Sequence, residues 1–283
     1  METELIDRII QLALDEDIQS GDHTSLATIP KNSSSKAVIL AKEQGYLSGV
    51  TLGEKIFKIV DPEIQVTIIK MDGDSVNEGD VVMKVMGPER SLLTAERTVL
   101  NFMQRLSGIA TKTSRIVDLI GHTNSKLVDT RKTTPGLRIL EKQAVVHGGG
   151  YNHRMGLYDM ILIKDNHIDY AGGIKNTLDQ TRIYLKENNL LIKIEIEVRD
   201  EDELNQVLDH GGCHRIMLDN FSPERVEAAM KIIPAKFTVE ASGNINEKTI
   251  VEYAETGVHF ISMGALTHSV NSLDLSMLTK TKN

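Results

Sequence analysis

After residue 108 the sequence settles into a repeating rhythm. Short apolar runs centred near Val128, Leu162, Ile196, Met217, Val239 and Ile261 alternate with helical stretches, and the last four recur about every 22 residues. That period leaves room for one helix between successive strands, which is what parallel pairing requires. The expectation is an α/β fold of βαβ units arranged as a barrel or part of one. The run IKIEIEV refines it, because alternation puts Ile194, Ile196 and Val198 on one face and Lys193, Glu195 and Glu197 on the other. One face should meet helices and the other a polar interior.

The first 108 residues have a different character. Leu5, Ile6, Ile9, Ile10, Leu12 and Ala13 follow helical spacing, so the chain should open with an amphipathic helix. Strand-like runs follow at SKAVILAKEQGYLSGV, IQVTIIKMDG and DVVMKVMG, with a helix near TLGEKIFKIV and a long one through TAERTVLNFMQRLSGIATKTSRIVDLI. In the later part, Ser222-Pro223 should start one helix and Asn244 or Asn246 another.

Composition narrows the function. A formal net charge of -8 argues against nucleic acid or a membrane surface as partner, since phosphate-backbone binding needs a basic face. The acidic start METELIDRIIQLALDED has no basic flank of a leader, and no apolar stretch reaches membrane-spanning length, so a cytoplasmic location is expected. The single cysteine, Cys213, excludes internal disulfides and reads as a small residue at the start of a buried strand.

Against this acidic balance, cations gather at strand ends. In α/β barrels chemistry collects at the carboxyl ends of the strands. LVDT ends in Arg131 and Lys132, YNHRMGLYDMILIKDNH sets His153 and Arg154 before the apolar MILI and Lys164 after it, and several such cations in one pocket call for a multiply negative ligand. Glu197 and Asp219 form an acidic set suited to sugar hydroxyls, magnesium or developing positive charge. Glu195 reads as a structural ion pair with Lys193 or Lys126. SGN at 242–244 and GAL at 264–266 are small-residue loops fit for a phosphate at a helix start, and the GGG at 148–150 reads as a flexible approach to the cations.

DTRKTTPGLRILEKQAV, GGGYNHRMGLYDMILIKDNHI, EIEV, MLDN, EASGNI and ISMGALTHS together resemble the quinolinate phosphoribosyltransferase family, and TAERTVLNF and GDHTS resemble its N-terminal domain. The likeness covers nearly the whole chain. Gln143 departs from a position that is often aromatic, and one extra residue lies between EIEV and MLDN. The resemblance implies an N-terminal α/β sandwich domain (1–108), an open α/β barrel (109–267), a tail (268–283) packing back on the first domain, and a homodimer with shared sites. It implies that Arg131, His153, Arg154 and Lys164 bind the two carboxylates of quinolinate, with Arg97 supplied by the neighbouring subunit, and that Thr130 is among the substrate-binding residues. Lys132 would lie near the pyrophosphate of phosphoribosyl pyrophosphate, Glu197 and Asp219 near its ribose and a Mg2+ ion, and Ser242, Gly243 and Gly264 at its 5-phosphate. Lys132, Lys164, Glu197 and Asp219 would carry catalysis.

Three rival readings compete with this one, and a non-enzymatic binding protein is the first to weaken, since it would not need both carboxylate-binding cations and sugar-binding acids. A related phosphoribosyltransferase with another acceptor would not need the full cation set, and a barrel aldolase using Lys164 as Schiff base would need an apolar pocket around it.

Overall fold

The computed structural model describes residues 2–279, which divide into two compact units. The first draws on residues up to Arg115, Thr133–Gly149 and Leu266 onward, and the second on Ile116–Lys132 and Gly150–Ala265. Segments 109–115 and 133–149, which the sequence assigns to the barrel, therefore cluster with the first unit. Residues 280–283 of the expected tail lie outside the described residues.

The first unit opens with α1 (Glu2–Ile18) and α2 (His23–Thr28), then β1 (Ser34–Ala41), β2 (Gly45–Tyr46), α3 (Val50–Val60), β3 (Gln65–Ile68), β4 (Ser75–Val76) and β5 (Val81–Pro88). The long helix α4 (Glu89–Ile120) follows. On α1 the buried stripe is Ile9, Ile10 and Leu14, while Leu5 and Leu12 face solvent. Helix α3 begins at Gly49 with no cap from its own side chain, and Asp72 takes that role by accepting from the Val50 and Thr51 backbone N–H groups. Strands β1, β3 and β5 form an antiparallel sheet with β12 (Leu275–Thr279) at its edge, in the order β12-β1-β5-β3, and β2 pairs with β4. The chain past residue 268 thus returns to this sheet through the register Ala37↔Thr279 to Ala41↔Leu275.

The second unit carries the rhythm read in the sequence. Its elements are β6 (Lys126–Val128), β7 (Met160–Ile163), α6 (Asp165–Ala171), α7 (Ile174–Glu187), β8 (Lys193–Val198), α8 (Glu201–His210), β9 (Arg215–Asp219), α9 (Pro223–Ile232), β10 (Thr238–Ser242), α10 (Ile250–Glu255) and β11 (Phe260–Ser262). Between β6 and β7 the chain passes through α5 (Arg138–His147) of the first unit, and α11 (Ala265–His268) follows β11. The six strands pair in parallel in the order β6-β11-β10-β9-β8-β7, an open barrel whose seam lies between β6 and β7. Burying both faces of β8 follows the alternation: Ile194, Ile196 and Val198 are buried, and so are Glu195 and Glu197 on the other face.

Two local expectations are corrected. Ser222 does cap α9, accepting from Arg225 N with Pro223 behind it, but neither Asn244 nor Asn246 caps α10. That helix starts six residues beyond Asn244, after Thr249, because Asn244 sits at φ 54 in a turn and cannot lead directly into a helix. The GGG stretch is not a flexible approach. Gly148 ends α5 by donating to Ala144 O, and a Cβ there would lie 2.4 Å from Ala110 O, so close backbone packing requires glycine.

Candidate active site

Because all six strands run in parallel, their carboxyl ends share one rim. Thr130, Arg131 and Lys132 follow β6, Lys164 follows β7, Glu197 ends β8 with Val198, Asp219 closes β9, Ser242 closes β10 and Gly264 follows β11. Around the rim this gives cations, then acids, then small residues.

The seam is bridged by the segment before β7. Tyr151 pairs with Val128 of β6, while the Arg154 guanidinium donates to Met160 O at the start of β7 (3.2 Å). His153 and Arg154 are thereby fixed between the two edges of the open sheet, next to Arg131. Buried Asp129 anchors the segment, accepting from the His153 backbone N–H at 2.9 Å. Burial first, and the nearby Arg131 cation second, weaken the Arg154 guanidinium's hold on its proton. Two cations set close together in a partly buried place store repulsion that an anionic ligand relieves.

Lys164 stands at the N-cap of α6, with its backbone N–H held by His167 Nδ1 (2.9 Å), and its ammonium meets Glu197 Oε2 at 2.5 Å. Burial raises the Glu197 carboxyl pKa against the pull of Lys164, and neighbouring Asp219 and Asp165 raise it further. Glu197 and Asp219 therefore feel each other across adjacent strand ends. Thr130 accepts from the Lys132 backbone N–H (3.0 Å), shaping the turn that presents both exposed cations of that loop.

Below the rim lies a buried charge network. His153 Nε2 is 3.0 Å from Glu195 Oε2 and 3.4 Å from Glu240 Oε2, and Arg215 Nη1 is 2.9 Å from Glu240 and 3.9 Å from Glu195. Glu195 is indeed a structural ion pair, but with His153 and Arg215 rather than Lys193 or Lys126, and Lys126 instead covers the Tyr151 ring. Burial raises the Glu195 pKa, helped by Glu240, whereas for Glu240 the pull of His153, and then of Arg215, outweighs burial and lowers it. Burial would depress the His153 imidazole, yet the two acids overcome it and raise its pKa to about 9. The Arg154 backbone N–H donates to His153 Nδ1 (2.7 Å), so a second proton at Nδ1 competes with that bond. Both ring nitrogens are engaged inside the protein, and His153 supports Arg154 rather than presenting a nitrogen to the rim. His153, Glu195 and Glu240 place ligand atoms within 4.8 Å of one another, but Arg215 already supplies the balancing cation there, so this is a poor metal pocket.

Of the two late loops, GAL leads directly into a helix as expected, and SGN does not. Gly243 (φ 98) and Asn244 lie in a loop that reaches α10 only at Ile250, while Gly264 directly precedes the four-residue α11. Arg97 is exposed on α4 in the first unit. Asp129, Arg215, Asn220 and Glu240 were not singled out as site residues from the sequence. The inward position of Glu240 in the alternation TVEAS was the available signal.

No helix among the described residues is long and apolar enough to cross a membrane. Residues 22–107 match the N-terminal domain, and 109–278 the C-terminal domain, of quinolinate phosphoribosyl transferase. The chain is 44% identical over 289 aligned positions to the chloroplastic nicotinate-nucleotide pyrophosphorylase [carboxylating] of Arabidopsis thaliana, covering 97% of this chain and 82% of that protein. It is also 44% identical to the probable nicotinate-nucleotide pyrophosphorylase [carboxylating] of Bacillus subtilis, covering 93% and 89%. The crystal structure of NadC from Streptococcus pyogenes superposes with a TM-score of 0.92 at 40% identity, covering 96% of this chain and 95% of that one. With both domains matched in order and full-length relatives well above 30% identity, this chain belongs to the quinolinate phosphoribosyltransferase family.

Proposed function

We propose that this protein joins quinolinate to phosphoribosyl pyrophosphate, giving nicotinate mononucleotide, pyrophosphate and carbon dioxide in NAD biosynthesis. The order of groups around the barrel rim carries the reading. Cations at the seam, acids on β8 and β9, and small-residue loops after β10 and β11 follow one another as a dicarboxylate, a ribose and a 5-phosphate do in the joined substrates.

In this reading Arg131, Arg154 and Lys164 hold the two carboxylates, with Thr130 and His153 fixing the loops that carry them. Lys132 faces the departing diphosphate. The pyridine nitrogen attacks C1 of the ribose as the C1–O bond to pyrophosphate breaks, and Glu197 and Asp219 stabilise the positive charge that develops on the sugar. The bond to the carboxylate next to the ring nitrogen then breaks, releasing carbon dioxide, and the carbon left with the electron pair takes a proton. Charges fixed before reaction supply most of the rate enhancement in such a site.

The family implies Mg2+ with the diphosphate substrate. Glu197 and Asp219 fit it, as adjacent hard carboxylate donors whose mutual repulsion a cation relieves. When bound, the ion would neutralise diphosphate charge. A homodimer in which Arg97 completes the partner's site, and a cytoplasmic location consistent with the unpaired Cys213, belong to the same proposal. The aldolase alternative has little support, because Lys164 is about half exposed and lies against a carboxylate rather than in an apolar pocket. Incubation with quinolinate, phosphoribosyl pyrophosphate and magnesium, followed by product analysis, tests the proposal. Equal amounts of nicotinate mononucleotide and pyrophosphate are expected, and no product overturns it.

A further inference from the structure

Asn220 follows Asp219 at the end of β9, where its backbone N–H and both side-chain polar atoms are engaged. Its backbone N–H donates to Ser242 O at 2.8 Å. Its Nδ2 donates to Asp219 Oδ2 at 2.7 Å, and its Oδ1 accepts from Asn244 Nδ2 at 3.1 Å. The amide orientation is chemically determined, since an ionised Asp219 only accepts and so must face the NH2 group. The loop fits closely around it: a Cβ on Gly243 would lie 2.2 Å from Asn220 Oδ1 and 2.8 Å from its backbone N. Asn220 holds φ 55, a conformation that asparagine tolerates better than most residues.

These contacts do more than finish a strand. They tie one side of the rim, the Asp219 carboxylate, to the loop of Ser242, Gly243 and Asn244, through one exposed side chain that belongs to neither. We infer that Asn220 is a positioning residue for the phosphoribosyl half of the reaction. It orients the Asp219 carboxylate toward the ribose and holds the 242–244 loop at the matching distance for the 5-phosphate. This rests on the function proposed above. Asn220 directly follows β9, away from the seam where Arg131, Arg154 and Lys164 gather, so quinolinate recognition does not depend on it.

The test separates side chain from backbone. Asn220→Gly keeps the left-handed conformation and deletes both side-chain bonds, whereas Asn220→Asp keeps an acceptor for Asn244 but sets a carboxylate against Asp219. Calorimetric titration with phosphoribosyl pyrophosphate plus magnesium, titration with quinolinate alone, and steady-state kinetics are run on both variants. At roughly 1 kcal/mol per lost bond, Asn220→Gly should weaken phosphoribosyl pyrophosphate binding and raise its KM by about 10- to 30-fold. The KM for quinolinate should stay within about twofold, and the unfolding midpoint close to wild type. Asn220→Asp should lose more of the same substrate and leave quinolinate equally untouched. Wild-type phosphoribosyl pyrophosphate affinity in Asn220→Gly overturns the inference, and so does equal weakening of both substrates, which marks a merely structural residue. Failure of the unaltered protein to bind phosphoribosyl pyrophosphate would overturn the functional proposal itself, and is seen before any variant is made.

Discussion

Lys164 Nζ lies 2.5 Å from Glu197 Oε2, so a cation of the seam is bonded to an acid of the neighbouring strand end. The lysine side chain is 47% exposed and the glutamate 8%. Such a pair is a poised arrangement, because the cation can turn to an incoming carboxylate and free the buried acid for the developing charge on a sugar. Neither group is left unpaired before substrate arrives, which avoids the cost of a lone buried carboxylate.

Removing seam cations should separate their hold on quinolinate from the Lys164–Glu197 coupling. Charge-assisted contacts contribute about 1.5 to 3 kcal/mol each, so Arg131→Ala should lower kcat/KM for quinolinate roughly 10- to 150-fold. Lys164→Ala should lose more, since it also strands Glu197. Both side chains are exposed at strand ends, so circular dichroism and the unfolding midpoint should remain close to wild type. A variant that unfolds while keeping normal activity per folded molecule would make its residue structural.

The network beneath the rim predicts a pH effect. His153 is raised from 6.5 to about 9 by Glu195 and Glu240 against the pull of burial. A folded-state pKa above the unfolded value adds stability that is complete below pH 6.5 and lost as pH rises through about 9. The size of the shift sets a ceiling of roughly 3 kcal/mol. Denaturant unfolding of the protein and of His153→Asn between pH 6 and 9.5 measures it. Their stability difference should shrink across that window, and a constant difference would place the proton elsewhere in the network.

What the sequence made legible was periodic or local. The alternation in IKIEIEV announced a strand with a polar inner face, and Ser222-Pro223 announced a helix start, because each depends on residues a few positions apart. The partners of Glu195 were not legible: Arg215 lies 20 positions away and becomes its neighbour only through the register of β8 with β9, and His153 lies 42 positions away and arrives with the segment that precedes β7. Asn246 failed as a cap for another reason. The loop from Gly243 to Thr249 uses its asparagines in turns, so the helix waits until Ile250. The GGG stretch looked flexible because a sequence does not display Ala110 O, against which Gly148 packs.

A shared active site predicts complementation. Arg97 is exposed on α4, and Arg97→Ala and Lys164→Ala chains should each be nearly inactive alone. Mixed after subunit exchange, half the dimers hold one chain of each kind. Each such dimer regains one intact site of two, so roughly a quarter of wild-type activity should return under a symmetric arrangement. No recovery despite demonstrated exchange would show that Arg97 does not act across an interface.

The central claim is that the seam cations exist to hold two carboxylates, and competition between quinolinate and nicotinate for phosphoribosyl transfer tests it most directly. Nicotinate lacks the carboxylate beside the ring nitrogen, so part of the cluster would stay desolvated without a partner, at a cost of a few kcal/mol, or roughly 100-fold or more in kcat/KM. With quinolinate labelled in that carboxylate, the account predicts one labelled carbon dioxide per nicotinate mononucleotide formed and no comparable turnover of nicotinate. Equal kcat/KM for the two acids, or product without labelled carbon dioxide, would contradict it.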